Sequence, residues 1–144
     1  MINDWPRIFG GDGFQPTFHP TDPAIFWVET QNGNIAMTDN GGFDFFAGDN
    51  GIDQLDRRNW DMPYILSPHN PNVLYAGTFK MYKSDGSAGL PYYNPISNDL
   101  TDGLILHPRH HSISTISESP VVEGLLYVGT TDGNVWASPN GGNT

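Results

Sequence analysis

The chain has no cysteine among its 144 residues. Disulfide bonds, thiolate metal sites and a cysteine nucleophile are therefore excluded as sources of its stability or chemistry. Basic residues are also scarce, since six of them stand against 16 acidic residues and give a formal net charge of -10 at pH 7. Because six basic residues are too few to line a phosphate backbone, we predict that nucleic acid is not a partner.

Long apolar runs are missing too. No window approaches the length of about 18 apolar residues that marks a membrane-spanning helix, so we predict no membrane insertion. The five histidines lack the spacing of common metal ligands, and the acidic stretch from Asp49 to Asp56 lacks the closing glutamate of a calcium loop. We therefore predict neither a metal site nor another cofactor.

Glycine and proline, in contrast, are abundant and spread along the chain, with 17 and 12 residues. They indicate many short elements joined by tight turns rather than long helices. Three phrases align without a gap at offsets of 48 and 52 residues: PTDPAIFWVET from Pro20, PHNPNVLYAGT from Pro68 and PVVEGLLYVGT from Pro120. Such a period is typical of a repeat architecture.

Each repeat reads as a series of short strands. The apolar run inside each phrase is about four residues long, which is typical of a buried strand. In the first and third repeats an Asn-Gly or Asp-Gly turn follows, and such dipeptides supply the positive φ of tight hairpins. We predict an all-β chain of about three β-propeller blades, each of four antiparallel strands, with units near residues 1–48, 49–98 and 99–144.

The second turn of the first unit carries a family resemblance. TDNGGFDF, from Thr38, resembles the Asp-box of bacterial-neuraminidase-type (BNR) repeats, Ser/Thr-x-Asp-x-Gly-x-x-Trp/Phe, with asparagine where the family prefers aspartate. SPNGGNT, from Ser138, is a second copy, and SDGSAGLPY, from Ser84, is a degraded one. The repeated phrases are similar to those of sortilin-type and xyloglucanase-type propellers.

The resemblance implies that these boxes hold rim turns and lie away from an active site. In this interpretation the asparagine side chain accepts hydrogen bonds from N–H groups of the turn, the glycine adopts a conformation that other residues avoid, and the aromatic residue packs under neighbouring strands. The residues assigned to this structural role are Thr38, Asn40, Gly42, Phe45, Ser84, Ser138, Asn140 and Gly142.

Three functions remain open at this point. The first is a non-catalytic repeat segment that binds protein or glycan as part of a larger secreted or cell-surface protein, which implies an extracellular or periplasmic location. The second is a fragment of a xyloglucanase-like glycoside hydrolase that uses Asp12 or Asp132, and the third is a purely structural scaffold. The residues that could face a ligand are Asp12, Trp60, His110 and Trp136.

The repeat count also predicts partners. A closed propeller needs about four to eight blades, because fewer cannot form a ring that protects the sheet edges. Three units leave apolar sides uncovered, so we expect the chain to be a fragment whose third unit is completed beyond Thr144. Its expected partners are the remaining blades of a parent protein or copies of itself, in addition to a glycan or protein ligand.

Overall fold

Eleven short β-strands form the regular structure in this computed structural model, which describes residues 5–87, 90–103 and 111–143. The prediction of an all-β chain is confirmed, because these described residues contain no helix. The strands are β1 Thr17–Phe18, β2 Phe26–Thr30, β3 Asn34–Thr38, β4 Phe46–Ala47, β5 Tyr64–Leu66, β6 Leu74–Gly77, β7 Met81–Ser84, β8 Tyr93–Pro95, β9 Ile113–Glu118, β10 Leu126–Thr130 and β11 Val135–Ser138.

Strands that follow each other along the chain pair into three antiparallel sheets. Sheet 1 has the order β1-β2-β3-β4, and sheet 2 has the order β5-β6-β7-β8. Sheet 3 has the order β9-β10-β11, three strands within the described ranges. The predicted first repeated strand, residues 25–28, is shifted towards its turn, because pairing with β3 continues as far as Thr30 and Asn34.

The turns of the two long hairpins differ from each other. Asn32 and Gly33 both have positive φ, 62° and 71°, as the Asn-Gly pair predicts. In the third unit Gly133 has a φ of 95°, whereas Asp132 does not adopt positive φ. In the third unit the positive φ of the turn is therefore supplied by Gly133 alone, and the Asp132 side chain bonds the Thr130 hydroxyl.

Sheet 2 lies between the other two sheets and contributes to two apolar cores. Its strand β6 is buried along its whole length. Leu74 and Ala76 point towards sheet 1, and Tyr75 points towards sheet 3, as the alternation of a β-strand requires. The core between sheets 1 and 2 contains Trp27, Ile35, Met37, Ile52, Met62, Tyr64, Leu74, Ala76, Tyr82 and Tyr93. The core between sheets 2 and 3 contains Val73, Tyr75, Met81, Ile113, Ile116, Leu126 and Val128.

Equivalent positions of the repeats face the same way in this stack. Leu74 packs towards sheet 1, and its equivalent in the third phrase, Leu126, packs towards sheet 2. Trp27 packs towards sheet 2, and its equivalent, Tyr75, packs towards sheet 3. Each sheet therefore turns one face to the preceding sheet and the other face to the following sheet. The next equivalent in this series, Tyr127, is 47% exposed.

Candidate functional site

The three sheets have two distinct ends. We call the end that carries residues 31–33 and 131–133 the hairpin end, and the end that carries the turn after β3 the box end. The pairing of Thr38 with Phe26, and of Phe26 with Phe18, places the first Asp-box at the end of the sheet opposite the 31–33 turn. The Asp-boxes and the hairpin turns are thus separated by the length of the strands.

A polar cavity of about 200 Å³ lies towards the hairpin end, where the first strands of the sheets come together. Its walls come from the segment before β1, the end of β2, the start of β5 and the first half of β9. No lysine, arginine or histidine stands among the lining residues that the structure describes. These residues are Gln15, Glu29, Asp61, Met62, Pro63, Tyr64, Ile65, Ser114, Thr115 and Ile116.

Glu29 is the buried acidic group of this cavity. It lies on β2 with 2% of its surface exposed, and its Oε1 accepts a hydrogen bond of 2.9 Å from the Met62 N–H. Burial raises the pKa of Glu29 to about 8, with help from the Asp61 carboxylate, although the bond from Met62 acts in the opposite direction. Glu29 therefore holds a proton at neutral pH, while Asp61 beside it is exposed.

Tyr64 fixes the wall between sheets 1 and 2. Its hydroxyl lies 2.9 Å from the carbonyl oxygen of Gln15 and 3.2 Å from that of Trp27, in position to donate to either. Burial raises the pKa of this phenol, and the nearby carboxyl groups of Glu29 and Asp61 raise it further. Tyr64 thus stays protonated and ties the segment before β1 to the cavity.

Among the described residues, the lining of the cavity offers hydrogen-bond donors and acceptors without a positive charge. Protonated Glu29 can donate a hydrogen bond, the carboxyl oxygens of Asp61 can accept one, and the Gln15 amide can do both. The Ser114 hydroxyl is already engaged, because it donates to the Gly129 carbonyl at 3.2 Å. This chemistry suits an uncharged, hydroxyl-bearing ligand or a cationic one better than an anion.

Asp132, one of the two predicted acid–base residues, is a structural anchor in the 131–133 turn. Its Oδ2 accepts the Asp102 N–H at 2.6 Å and lies 3.1 Å from His111 Nδ1, and its Oδ1 accepts the Thr130 hydroxyl. Burial alone would raise the pKa of Asp132, but these hydrogen bonds outweigh it and lower the pKa to about 2. A carboxylate held in this state is a poor general acid at neutral pH.

We expect Asp132 to make the fold sensitive to acid. The folded pKa is below the ordinary value of 3.8, so its contribution to stability is present above pH 4 and is lost as the pH falls towards 2. The difference corresponds to about 2 kcal/mol. Urea denaturation between pH 5 and pH 2 measures this contribution to the free energy of unfolding. The Asp132→Asn variant should lose less stability than the parent chain over this pH range. An Asp132→Asn protein with an unchanged acid profile would contradict this assignment.

Of the predicted ligand-facing residues, Asp12, Trp60 and Trp136 are not among the residues that line this cavity. Asp12 is exposed in the loop before β1, where Gly11 packs against Thr30. Trp60 is half-exposed, and its carbonyl oxygen accepts the Asn32 N–H at 2.9 Å, so it also stands at the hairpin end. His110 lies outside the described residues.

Trp136 lines a second, larger depression, which lies between sheets 2 and 3. This groove of about 790 Å³ separates β11 from the segment that follows β8. The Trp136 indole N–H donates to the Leu100 carbonyl at 2.7 Å, while 47% of the residue remains exposed. Trp136 lies on β11, and β10 separates this strand from β9, which lines the cavity.

The first Asp-box forms a closed set of hydrogen bonds. The Thr38 hydroxyl accepts a hydrogen bond from the Gly42 N–H at 3.0 Å and donates one to Asn40 Oδ1 at 2.9 Å. Asn40 Oδ1 also accepts a hydrogen bond from the Asp44 N–H at 3.0 Å. Gly42 has a φ of 91°, and Phe45 packs edge-on against Phe26 at 5.9 Å between ring centres. All of these contacts hold the turn onto its own sheet.

The other two boxes share parts of this pattern. In the third unit the Ser138 hydroxyl accepts the Gly142 N–H at 2.9 Å and lies 3.2 Å from Asn140 Oδ1. In the second unit the Ser84 hydroxyl accepts the Leu74 N–H at 2.9 Å. There it is Asp85 that holds the turn, since its Oδ1 accepts the Ser87 N–H at 3.1 Å.

We expect Asn40→Ala to lower the free energy of unfolding by about 1 kcal/mol, because two hydrogen bonds of the turn lose their acceptor. Chemical denaturation measures the change. Asn94→Ala, at an exposed position of β8, is the matched control and should change stability by less than about 0.5 kcal/mol. An Asn40→Ala protein that unfolds like the parent but loses binding would show that the box is a site rather than a turn staple.

Sequence reasoning did not identify Glu29, Asp61 or Tyr64. One indication was available in the repeat alignment, where Glu29 stands at the position that Gly77 and Gly129 occupy in the other two phrases. A charged residue at the end of an apolar strand, in place of glycine, marks a unit-specific role. Its burial depends on β5, which lies more than thirty residues away in sequence.

No protein-family model matches the chain, and no curated protein matches it significantly. In the part of the chain that the structure describes, no cluster of three or more His, Cys, Asp or Glu residues is arranged to bind a metal ion. Within the same ranges, the structure contains no helix that could span a membrane.

Proposed function

We propose that the chain is a non-catalytic BNR/Asp-box repeat segment of a β-propeller, which binds a glycan or protein ligand at its hairpin end as part of a larger secreted or cell-surface protein. Its three sheets would be successive blades. The parent protein would be extracellular or periplasmic.

The observation that carries this proposal is that equivalent residues of the repeats face in the same direction along the stack of sheets. Leu74 and Leu126 each pack on the preceding sheet, and Trp27 and Tyr75 each pack on the following one. A propeller blade makes the same two contacts with its neighbours, and its innermost strands surround a common axis. The cavity between β5, β9 and the segment before β1 fits the position of such an axis.

The remaining faces support the proposed partners. Tyr127 and Val135, on the face of sheet 3 that turns away from sheet 2, are 47% and 80% exposed. Phe18, on the opposite outer face of the stack, is 54% exposed. Further blades of a parent protein or copies of the chain would cover these surfaces.

A glycan array and a pull-down with an Asp61→Asn variant test the ligand face. Asp61 borders the cavity, whereas Asp39 is an equally exposed carboxylate at the box end, so Asp39→Asn is the matched control. We expect the Asp61 variant alone to lose binding by about tenfold, as the loss of a charged hydrogen bond predicts. Equal loss in both variants, or none in either, would contradict a ligand face at the hairpin end.

One observation favours glycoside hydrolysis as a second function. A carboxyl group with its pKa raised to about 8 is suited to be a general acid, and Glu29 lines the cavity together with the carboxyl group of Asp61. In this second function Glu29 and Asp61 would supply the acid–base chemistry for which the sequence suggested Asp12 or Asp132. Assays for reducing ends on plant and bacterial polysaccharides, with Glu29→Gln as the inactive control, separate this function from simple binding.

A further inference from the structure

The cavity at the hairpin end combines acidic side chains with apolar walls. Glu29 and Asp61 are among its lining residues, and Met62, Ile65 and Ile116 add aliphatic surface to the same lining. A ligand group that fills such a space should carry an apolar stem as well as a polar end, because both kinds of surface must be matched.

The two carboxyl groups lie at different depths. Glu29 is 2% exposed and its Oε1 accepts the Met62 N–H at 2.9 Å, whereas Asp61, the residue before Met62, is exposed. The two groups are close enough to interact, since the charge of Asp61 contributes to the raised pKa of Glu29. The cavity therefore has one acidic group at its buried end and a second one towards solvent.

Glu29 lacks a counter-charge among the described residues. Burial is the main cause of its raised pKa of about 8, and no positive charge in the described part of the chain lowers it. Arg58 stands at the same end of the sheets, but its guanidinium donates to the carbonyl oxygens of Asp53 at 2.6 Å and Asn32 at 3.4 Å. A cationic ligand group would supply the charge that Glu29 does not receive from these residues.

Few other ionisable groups act on Glu29. Among the described residues they are Asp61, in the segment before β5, and Tyr64, on β5, whose phenol stays protonated. The lining side chains that come from β9 and from the segment before β1 are uncharged: Gln15, Ser114, Thr115 and Ile116. A change in the charge of the cavity between pH 6 and pH 9 therefore reports on Glu29.

The surroundings of the cavity are acidic as well. Asp12 and Asp53 are exposed, and Asp53 is tied to the 31–33 turn through Arg58. The whole chain has a formal net charge of -10. Such a surface attracts a basic partner and repels an acidic one.

We propose that the cavity receives a lysine side chain from a basic segment of a polypeptide ligand. The ammonium group lies between the carboxyl groups of Glu29 and Asp61, and the stem lies along Met62, Ile65 and Ile116. Lysine suits this cavity because it joins a four-carbon apolar stem to a compact cation with three hydrogen-bond donors. The inference rests on the ligand face of the proposed function, and it commits that face to a protein ligand.

Three capped peptides test the proposal on the intact chain. They share the sequence Gly-Ser-X-Ser-Gly, where X is lysine, ε-acetyl-lysine or norleucine, which keeps the stem without the ammonium group. We expect the lysine peptide to bind saturably in NMR titrations, at least tenfold more tightly than the other two. Equal affinities for the lysine and ε-acetyl-lysine peptides would overturn the proposal, whether or not any variant folds.

The pH dependence of binding identifies the group that the lysine meets. A lysine ammonium keeps its proton up to about pH 10, and it favours the ionised form of Glu29. The affinity of the parent chain for the lysine peptide should therefore rise about tenfold from pH 6 to pH 8.5. In Glu29→Gln it should be lower at pH 8.5 and independent of pH, whereas Asp39→Asn, at the box end, should behave like the parent. Parallel profiles for the parent and Glu29→Gln would overturn the proposal.

A failure of this inference is distinguishable from a failure of the proposed function. If a glycan or protein ligand is lost in Asp61→Asn while the three peptides bind equally, the lysine site is wrong and the ligand face remains. If Asp61→Asn changes the binding of no ligand and the lysine peptide shows no preference, both are wrong.

Discussion

The chain is expected to become less stable as the pH rises from 5 to 8, because of Glu29. The folded pKa of Glu29 is about 8, whereas the ordinary value is 4.5. Between these values the unfolded chain releases a proton that the folded chain keeps, so the free energy of unfolding falls as the pH rises. The full difference corresponds to about 5 kcal/mol, which is as large as the total stability of many small domains.

Urea denaturation of the parent chain and of Glu29→Gln at pH 5, 6.5, 8 and 9 measures this effect. Glutamine has the shape of protonated glutamate and keeps an acceptor for the Met62 N–H, so the variant should unfold nearly independently of pH in this range. Asp61→Asn should remove only a small part of the pH dependence, because burial is the main cause of the raised pKa. Parallel pH profiles for the parent and for Glu29→Gln would contradict the assignment.

Leu74→Ala is expected to lower the free energy of unfolding by about 2–5 kcal/mol, the usual range for truncating a buried leucine. Leu74 is 0% exposed, and it lies on the central strand of sheet 2 in the core shared with sheet 1. Val128→Ala, in the core between sheets 2 and 3, should lower it by a smaller amount because a valine loses fewer methyl groups.

The number of unfolding transitions is as informative as the free energy of unfolding. Because β6 belongs to both cores, either substitution should lower a single cooperative transition rather than split it. Val135→Ala, at an 80% exposed position of β11, is the control and should change stability by less than about 0.5 kcal/mol. Two separate transitions in Leu74→Ala would show that sheets 2 and 3 unfold independently of sheet 1.

Part of the candidate site could be read from single residues, and part could not. The Asp-box sequence TDNGGFDF predicts a turn in which Asn40 accepts N–H bonds, and such bonds join residues at most four positions apart. The sequence could not show the environment of Asp132 when it suggested acid–base chemistry there, because the Asp102 N–H that donates to its carboxylate lies 30 positions earlier in the chain. Likewise, Trp136 could be seen as an aromatic residue at a strand position, but not as the wall of an open groove.

The sequence by itself determined the strands, their turns and their antiparallel order, because these depend on interactions between close neighbours. Short apolar runs followed by Asn-Gly or Asp-Gly turns favour hairpins wherever they occur. The tertiary structure alone decided that Glu29 is protonated and that Trp136 lines a groove between sheets 2 and 3. Both depend on which sheets lie against each other, since desolvation of a carboxyl group and the filling of an interface are set by side chains from distant segments.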